Sequence, residues 1–211
     1  MSEAVSSSAD PSMLAAAIAA LRAGELVIYP TETFYGIAAD PESPDALEKI
    51  FALKGREAGK PIALIAADTA SAFGLAREIP PMAHRLAAAF WPGPLTIVLP
   101  ARAGLHEAVV GPSGVGVRVS SHLIARALAA GLGRPITATS ANRSGQAPIA
   151  DPATVRDVLG TDIEVILEDG VLSGGAPSTV IEIVGHAYRI VRAGAISDHK
   201  IVAATGLRAQ R

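Results

Sequence analysis

Three short polar clusters, far apart in the chain, contain the side chains best suited to chemistry. TETFYG (residues 31–36) follows an apolar run, KGR (residues 54–56) comes shortly before Lys60, and TATSANRSG (residues 137–145) follows a β-branched segment. Hydroxyl and amide groups at strand ends bind the amine, carboxylate or phosphate of small substrates. Clustered cations suit a polyphosphate and stabilise the charge that shifts during phosphoryl or nucleotidyl transfer. These clusters are the candidates for a site that takes a small substrate and a polyphosphate.

Each cluster also has a purely structural explanation. The threonines of the first cluster can bond their own backbone in a turn. Cations at the end of a helix complement the helix dipole. The third cluster can form either an Asx or Ser/Thr capping turn or an anion-binding nest of backbone N–H groups. Taken singly, the clusters leave both explanations open.

Two arginines and one serine each allow two interpretations. Arg118 stands in the alternating segment VGVRVS and Arg192 in IVRAG, so each is either a solvated outward residue or an inward anchor for a carboxylate. Ser178 belongs to GGAPST (residues 174–179), which is either a flexible entry to a hairpin or a turn that closes over a substrate.

The chain lacks the residues that several kinds of catalysis require. The chain has no cysteine, which excludes disulfides, thiolate metal sites and cysteine nucleophiles. It contains no GxxxxGK[ST], GxGxxG or GxSxG, so Walker, Rossmann and nucleophile-elbow chemistry are not predicted. The five histidines show no helical i, i+4 pairing, and no metal site is expected from them.

Bulk composition predicts a soluble, cytoplasmic protein that does not enter a membrane. No apolar run reaches the ~20 residues needed to span a bilayer, and Glu3 and Asp10 precede the apolar run 13–21 in place of the basic start of a secretory signal. The 18 Lys and Arg against 20 Asp and Glu do not single out a nucleic-acid binder, although a local basic patch remains compatible with that balance.

Alternating strand and helix signals predict a mixed α/β fold. Asp10-Pro11 and Ser43-Pro44 are typical of helix starts, and glycines at 24 and 55 of helix ends. Short apolar or alternating runs predict strands, and apolar residues that recur every three to four positions predict helices. The expected strands are 26–30, 61–67, 95–100, 115–120, the first part of 134–145, 163–170 and a hairpin of 178–184 with 187–194, and the further helices are 69–78, 81–90, 122–133 and 151–159. We expect a flexible tail over residues 1–11 and one domain over 12–205.

The order of the motifs resembles the YrdC-like family of threonylcarbamoyl-AMP synthases. YPTETFYG, KGR, WPGPLT, VRV, TSAN, PST and VRAG follow one another within about residues 12–198. Each piece is short, but the ordered combination is specific. The resemblance implies an open twisted mixed sheet flanked by helices, with a large concave basic cleft that in this family is described as able to bind double-stranded RNA.

The activity implied is that of an L-threonylcarbamoyladenylate synthase. Such an enzyme makes threonylcarbamoyl-AMP and pyrophosphate from L-threonine, bicarbonate and ATP, and supplies transferase proteins that modify tRNA. Mg²⁺ would enter with ATP as substrate, and no tightly bound organic cofactor is expected.

The resemblance also implies roles for individual residues. The proposed ATP-binding residues are Lys54, Arg56, Lys60, Ser140, Asn142 and Arg192, with Lys54 and Arg56 as the catalytic cations. The proposed L-threonine-binding residues are Thr31, Thr33, Tyr35, Arg118 and Ser178. One departure is Ile65, which stands where many members have a histidine.

Two other functions remain as alternatives. One is a non-catalytic RNA-binding module that uses the same basic cleft, although aromatic residues make up only 4% of the chain and show no interleaving with basic residues. The other is a relative that adenylates a carbamoyl group from a different donor, as the YrdC-like domain of hydrogenase-maturation proteins does. Those proteins carry zinc-finger-like cysteines, which this chain lacks.

Overall fold

The computed structural model describes residues 10–55, 61–159, 162–163, 165–206 and 209. Within them the helices are α1 (Pro11–Arg22), α2 (Pro44–Lys54), α3 (Thr69–Phe73), α4 (Pro81–Phe90), α5 (Leu123–Leu132), α6 (Pro152–Leu159) and α7 (Asp198–Thr205), with a 3₁₀ turn at Glu107–Val109. None of the helices described has the length and apolar character needed to cross a bilayer.

The two predicted Pro-containing helix starts are present and capped. The Asp10 carboxylate accepts a hydrogen bond from the Ser12 N–H at 2.9 Å, and the Ser43 hydroxyl accepts one from the Ala46 N–H at 3.3 Å. These bonds satisfy N–H groups that have no partner within the helix. At the other end of α2, Gly55 takes a left-handed conformation at φ 57°, which glycine adopts without a steric penalty. Lys54 is therefore the last residue of α2, immediately before a sharp change of direction.

The strands form two sheets. They are β1 (Val27–Tyr29), β2 (Gly36–Ala38), β3 (Leu64–Ile65), β4 (Leu95–Leu99), β5 (Val110–Gly111), β6 (Gly114–Arg118), β7 (Ile136–Thr137), β8 (Thr139–Ser140), β9 (Val165–Ile166), β10 (Thr179–Val184) and β11 (Ala187–Arg192). The smaller sheet has the order β8-β2-β1-β9, and the larger has the order β11-β10-β4-β6-β3-β7, with β5 paired to β6. Both sheets combine parallel and antiparallel pairs, which confirms the mixed α/β class.

The structure differs from the sequence prediction in its details. The expected single sheet is divided in two, the short strands β2 and β8 and the helix α7 were not predicted, and the expected helix 69–78 ends at Phe73. Strands of two or three residues are too short to show an alternating hydrophobic pattern, so β2 and β8 cannot be recognised between the polar turns. The tail expected over residues 1–11 lies mostly outside the described residues, and α1 already begins at Pro11.

Strand register brings two of the polar clusters side by side. The TETFYG turn (residues 31–36) connects β1 to β2, which pair antiparallel. Strand β8 pairs with β2 so that Ser140 lies opposite Gly36. The SAN turn (residues 140–142) therefore begins beside the end of the TETFYG turn, although more than a hundred residues separate the two clusters.

Two clusters of buried apolar side chains hold the layers together. The larger joins residues of α2 and α4 to residues of β4 and β6, and the smaller joins α1 and α5 to β1 and β3. Burial of apolar area is the main favourable term in such packing. Ile65 is fully buried within the smaller cluster.

Candidate active site

A cavity of about 700 Å³ is lined by residues of both sheets. Nine of the eleven predicted site residues line it: Thr31, Thr33, Tyr35, Lys54, Arg118, Ser140, Asn142, Ser178 and Arg192. The other two, Arg56 and Lys60, lie outside the described residues. The structure thus brings residues from six separate chain segments to one cavity, and their individual roles stay predictions.

Thr31 uses its hydroxyl to build the TETFYG turn. Its Oγ1 accepts hydrogen bonds from the N–H groups of Thr33 and Phe34, both at 3.2 Å, and donates to the Phe34 carbonyl at 2.7 Å. Thr31 is 4% exposed, whereas Thr33 is half-buried, with its hydroxyl 3.3 Å from that of Thr31. The turn explanation therefore applies to Thr31, and Thr33 presents the more accessible hydroxyl.

Tyr35 anchors a neighbouring segment rather than pointing its hydroxyl into the cavity. The phenol donates to the Gly170 carbonyl at 2.8 Å and accepts from the Asp169 N–H at 3.0 Å. Burial, the largest cause, raises the pKa of Tyr35, so the phenol stays a donor at neutral pH.

Sequence reasoning missed Tyr29, which also lines the cavity and donates to the buried Thr137 carbonyl at 3.0 Å. Its position at the end of the apolar run, two residues before the turn, was the available signal.

Lys54 binds the SAN turn directly. Its ammonium donates to the carbonyl oxygens of Ser140 at 2.7 Å and Asn142 at 2.8 Å, and to the Asn142 side-chain oxygen at 3.2 Å. The Ser140 hydroxyl also donates to the Asn142 side-chain oxygen, and the Asn142 amide donates to the Gln146 carbonyl at 2.6 Å. Lys54 is 6% exposed. A buried positive charge is therefore fixed against the turn that carries two of the predicted nucleotide-binding residues.

Arg118 pairs with a carboxylate that sequence reasoning did not single out. Its Nη1 donates to Oε1 of Glu32, and the Ser120 hydroxyl donates to Oε2 of the same carboxylate. The side chains of Arg118 and Glu32 are 8% and 13% exposed. Arg118 had been expected either to face solvent or to anchor a substrate carboxylate. It is in fact buried, and it already has one anionic partner within the protein.

Arg192 holds the segment that contains Ser178. Its Nη2 donates to the Ser178 carbonyl at 2.7 Å and to the Ser178 hydroxyl at 2.9 Å, and that hydroxyl lies 3.1 Å from the hydroxyl of Thr96. Burial first, and then the positive charge of Arg118, lower the pKa of Arg192. An arginine remains protonated in spite of such a shift. Arg118 and Arg192 thus place two cations on the same cavity, and their mutual repulsion favours an anion there.

An ion pair between β10 and β11, formed by Glu182 and Arg189, also lines the cavity. Among the described residues that line the cavity, Glu182 is the sole carboxylate, and it pairs with Arg189. A hydrogen bond from the Ser113 hydroxyl, more than the neighbouring Arg189, lowers the pKa of Glu182. Sequence reasoning missed these residues, but the register of the predicted hairpin, which puts Glu182 opposite Arg189, would have found the pair.

Ile65 does not line the cavity in the part of the chain described here. It is fully buried and packs in the smaller apolar cluster, while Ile62 and Ala63 line the cavity just before it. Nor does any group of three or more His, Asp or Glu side chains, within the described ranges, lie where it could hold a metal ion.

Two threonylcarbamoyl-AMP synthases are similar to this chain in sequence. The chain is 38% identical over 183 residues to the threonylcarbamoyl-AMP synthase of Pyrococcus abyssi, covering 86% of this chain and 54% of that protein. It is 37% identical over 169 residues to the threonylcarbamoyl-AMP synthase of Chromohalobacter salexigens, covering 79% of this chain and 90% of that protein. The chain therefore spans about half of the first relative and most of the second.

The fold of this chain matches that of a solved relative over 94% of this chain's length. Sua5 of Pyrococcus abyssi, solved in complex with L-threonine, superposes with a TM-score of 0.87 at 36% identity, over 94% of this chain and 58% of that one. The family model of Sua5, YciO and YrdC, which carries the description telomere recombination, matches residues 19–194. Because that match spans most of the chain, including every cavity-lining residue predicted above, the chain belongs to the Sua5/YciO/YrdC family.

Proposed function

We propose that this protein is an L-threonylcarbamoyladenylate synthase. It would convert L-threonine, bicarbonate and ATP to threonylcarbamoyl-AMP, pyrophosphate and water, for the threonylcarbamoyl-adenosine modification of tRNA. The observation that carries the proposal is that one cavity joins the TETFYG turn, the Lys54-bound SAN turn and the arginine pair Arg118 and Arg192. The names of the similar proteins, and the L-threonine bound to one of them, support the same assignment.

We assign L-threonine and ATP to different sets of cavity-lining residues. Thr33, Arg118 and Ser178 would bind L-threonine, with a hydroxyl for its polar groups and a guanidinium for its carboxylate. Thr31 and Tyr35 would contribute to that wall by shaping the turn, since their hydroxyls are engaged within the protein. Lys54, Ser140, Asn142 and Arg192, together with Arg56 and Lys60, would bind ATP.

The chemistry requires two bond-forming steps. The uncharged amine of L-threonine attacks the carbon of bicarbonate, and loss of water leaves a carbamate. A carbamate oxygen then attacks the α-phosphorus of ATP, and the bond between that phosphorus and the bridging oxygen breaks to release pyrophosphate. Carbamates are short-lived in water, so a cavity that holds all three reactants in contact supplies much of the rate enhancement.

The cations of the site would stabilise the charge that moves to pyrophosphate. Arg56 and the Lys54-bound turn are the proposed contributors on the protein side, and Lys54 would act partly through the turn to which it donates. Mg²⁺ would enter with ATP, coordinated by phosphate oxygens, because Glu182 is the sole carboxylate among the described lining residues and is already paired with Arg189. We propose no tightly bound organic cofactor.

The reaction also implies partners. Threonylcarbamoyl-AMP is a reactive mixed anhydride, so a transferase acting on tRNA must take it up soon after release. We therefore propose transferase partners downstream and a cytoplasmic location, with residues 12–205 acting as one domain and a contact with RNA.

The test is release of pyrophosphate from ATP in the presence of bicarbonate, compared for L-threonine, L-serine and no amino acid. We expect release that depends on both L-threonine and bicarbonate and that is weaker with L-serine, which lacks the methyl group. Arg118→Lys, which keeps the charge but loses the planar fork, should reduce that release, whereas Arg77→Lys, at an exposed ion pair, should not. Salt-sensitive binding of tRNA without threonine-dependent release would favour the RNA-binding module instead.

A further inference from the structure

Glu32 lies behind the cavity wall rather than on it. Its neighbours Thr31 and Thr33 both line the cavity, but Glu32 is outside the set of described lining residues. Its carboxylate turns instead towards β6, where Oε1 pairs with Arg118 and Oε2 accepts from Ser120. Glu32 can therefore affect a bound substrate in two ways, through the residues that it holds and through its negative charge.

The Glu32 carboxylate joins the two sheets. Glu32 belongs to the turn between β1 and β2 of the smaller sheet, whereas Arg118 ends β6 of the larger one. The Glu32 carbonyl also accepts a hydrogen bond from the Ser173 hydroxyl at 2.8 Å, which adds a third segment. One residue thus fixes the separation between the turn that presents Thr33 and the strand that presents Arg118.

Glu32 also supplies the counter-charge that lets Arg118 stay buried. Arg118 is 7% exposed and shares the cavity with Arg192, a second cation. A buried guanidinium without an anionic partner is strongly unfavourable. A guanidinium has five N–H donors, so one nitrogen can bind Glu32 while others remain for a ligand.

We propose that Glu32 is a positioning residue for the amino-acid substrate. It holds Arg118 and the TETFYG turn in one fixed arrangement, so that the guanidinium and the Thr33 hydroxyl meet the same small zwitterion. The inference rests on the proposed function, since it names L-threonine as that zwitterion.

Removing the negative charge of Glu32 has two opposed consequences. The site becomes more positive, which by itself would tighten the binding of any carboxylate. Arg118 also loses its fixed orientation, and binding must then immobilise a side chain with large rotamer entropy. If Glu32 is a positioning residue, the second effect dominates and L-threonine binds more weakly. If Glu32 only lowers the charge, L-threonine binds more tightly.

The experiment measures the equilibrium binding of L-threonine to the full chain by calorimetry, and the KM for ATP by pyrophosphate release. We expect Glu32→Gln to raise the Kd for L-threonine at least tenfold and to change the KM for ATP less than twofold. Ser120→Ala, which keeps both charges and removes one hydrogen bond to the carboxylate, should raise the Kd at least threefold. Glu42→Gln is the matched control, because Glu42 pairs with Arg134 in an exposed ion pair, and it should leave both values unchanged.

The outcomes separate the inference from the function on which it rests. A Kd for L-threonine that is unchanged or lower in Glu32→Gln overturns the positioning role. Parallel rises in the Kd for L-threonine and the KM for ATP also overturn it, because a general loss of structure would affect both substrates. If Glu32→Gln does not fold, Ser120→Ala decides by the same criteria. Failure of the unmodified protein to bind L-threonine overturns the proposed function, and the inference with it.

Discussion

The ammonium of Lys54 lies 2.8 Å from the main-chain oxygen of Asn142 and 3.2 Å from its side-chain oxygen. The two residues are 88 positions apart, and the contact ties the last residue of α2 to the SAN turn. The turn's carbonyl oxygens point at the lysine, while the Ser140 hydroxyl donates to the Asn142 side-chain oxygen and the Asn142 amide donates to the Gln146 carbonyl. Lys54 thus connects the conformation of the turn to the electrostatics of the proposed nucleotide site.

Lys54→Ala is expected to lower both catalysis and stability. Loss of the charge and of the turn's conformation should reduce kcat for pyrophosphate release by a factor of about 10 or more. Loss of the lysine donor to the buried Asn142 carbonyl should also lower the free energy of unfolding by about 1–3 kcal/mol. Steady-state kinetics and urea denaturation measure the two effects.

Lys49→Ala is the matched control for that variant. Lys49 lies on the same helix but pairs with Glu25 at the surface, where its side chain is 43% exposed. An exposed ion pair contributes only about 0–1 kcal/mol. Equal effects of the two substitutions on kcat would contradict a specific role for Lys54.

Tyr35→Phe is expected to loosen the segment around Asp169 and Gly170. The substitution removes the acceptor of the Asp169 N–H and the donor to the Gly170 carbonyl, at a cost of about 0.5–1.5 kcal/mol per hydrogen bond, because Asp169 is half-buried and Gly170 is exposed. Hydrogen exchange of the Asp169 amide should therefore become faster. Tyr188→Phe removes a comparable phenol that donates to Asp198, away from the cavity, and should leave exchange at Asp169 unaltered. Unaltered exchange in Tyr35→Phe would disprove the anchoring role.

Sequence alone predicted the features that depend on local chemistry. Asp10-Pro11 and Ser43-Pro44 start helices because a side-chain cap and a proline act within one turn of chain. The hairpin of β10 and β11 was also predictable, because its strands are long and joined by a short turn. Their neighbours in the sequence determine these elements, so pattern reasoning suffices.

The contacts that assemble the cavity could not be worked out from local patterns. Thr31 favours a turn whether or not a site exists, and the hydrogen bond from Lys54 to Asn142 joins residues 88 positions apart. The grouping of these residues was expected only because the motif order resembled a family. Glu32 shows where even that failed, because nothing near it in the sequence indicates its contact with Arg118, 86 residues away.

Acid should remove the stabilising contribution of Glu182. The hydrogen bond from Ser113, followed by the charge of Arg189, lowers the pKa of Glu182 in the folded state below its ordinary value of 4.5. A lowered folded-state pKa gives stability that is present above the unfolded-state pKa and is lost as pH falls through the folded-state pKa. The stability difference between the unmodified protein and Glu182→Gln should therefore shrink as pH is lowered from about 6 to about 3. Thermal unfolding at several pH values measures this, and a constant difference would contradict it.

Gly36 is expected to be required by the ring of Tyr29. Residues 29 and 36 are paired across β1 and β2, and a Cβ at position 36 would lie 3.0 Å from Cε1 and Cζ of Tyr29. Because Tyr29 is fully buried, the ring has little room to move away, and Gly36→Ala should lower the free energy of unfolding by about 1–3 kcal/mol. The same displacement should weaken L-threonine binding, since the TETFYG turn lies between the two residues.

The steric origin of that effect is tested with three further variants. Gly74→Ala is the control, because Gly74 caps α3 at φ −61° and a Cβ there would lie no nearer than 3.4 Å to its neighbours, so alanine should change stability by no more than about 1 kcal/mol. In a Tyr29→Leu background the ring is absent, so Gly36→Ala should cost less than it does alone. Denaturation of the single and double variants gives the coupling energy between positions 29 and 36. Strict additivity would mean that the alanine acts on the backbone of β2 and not on the tyrosine ring.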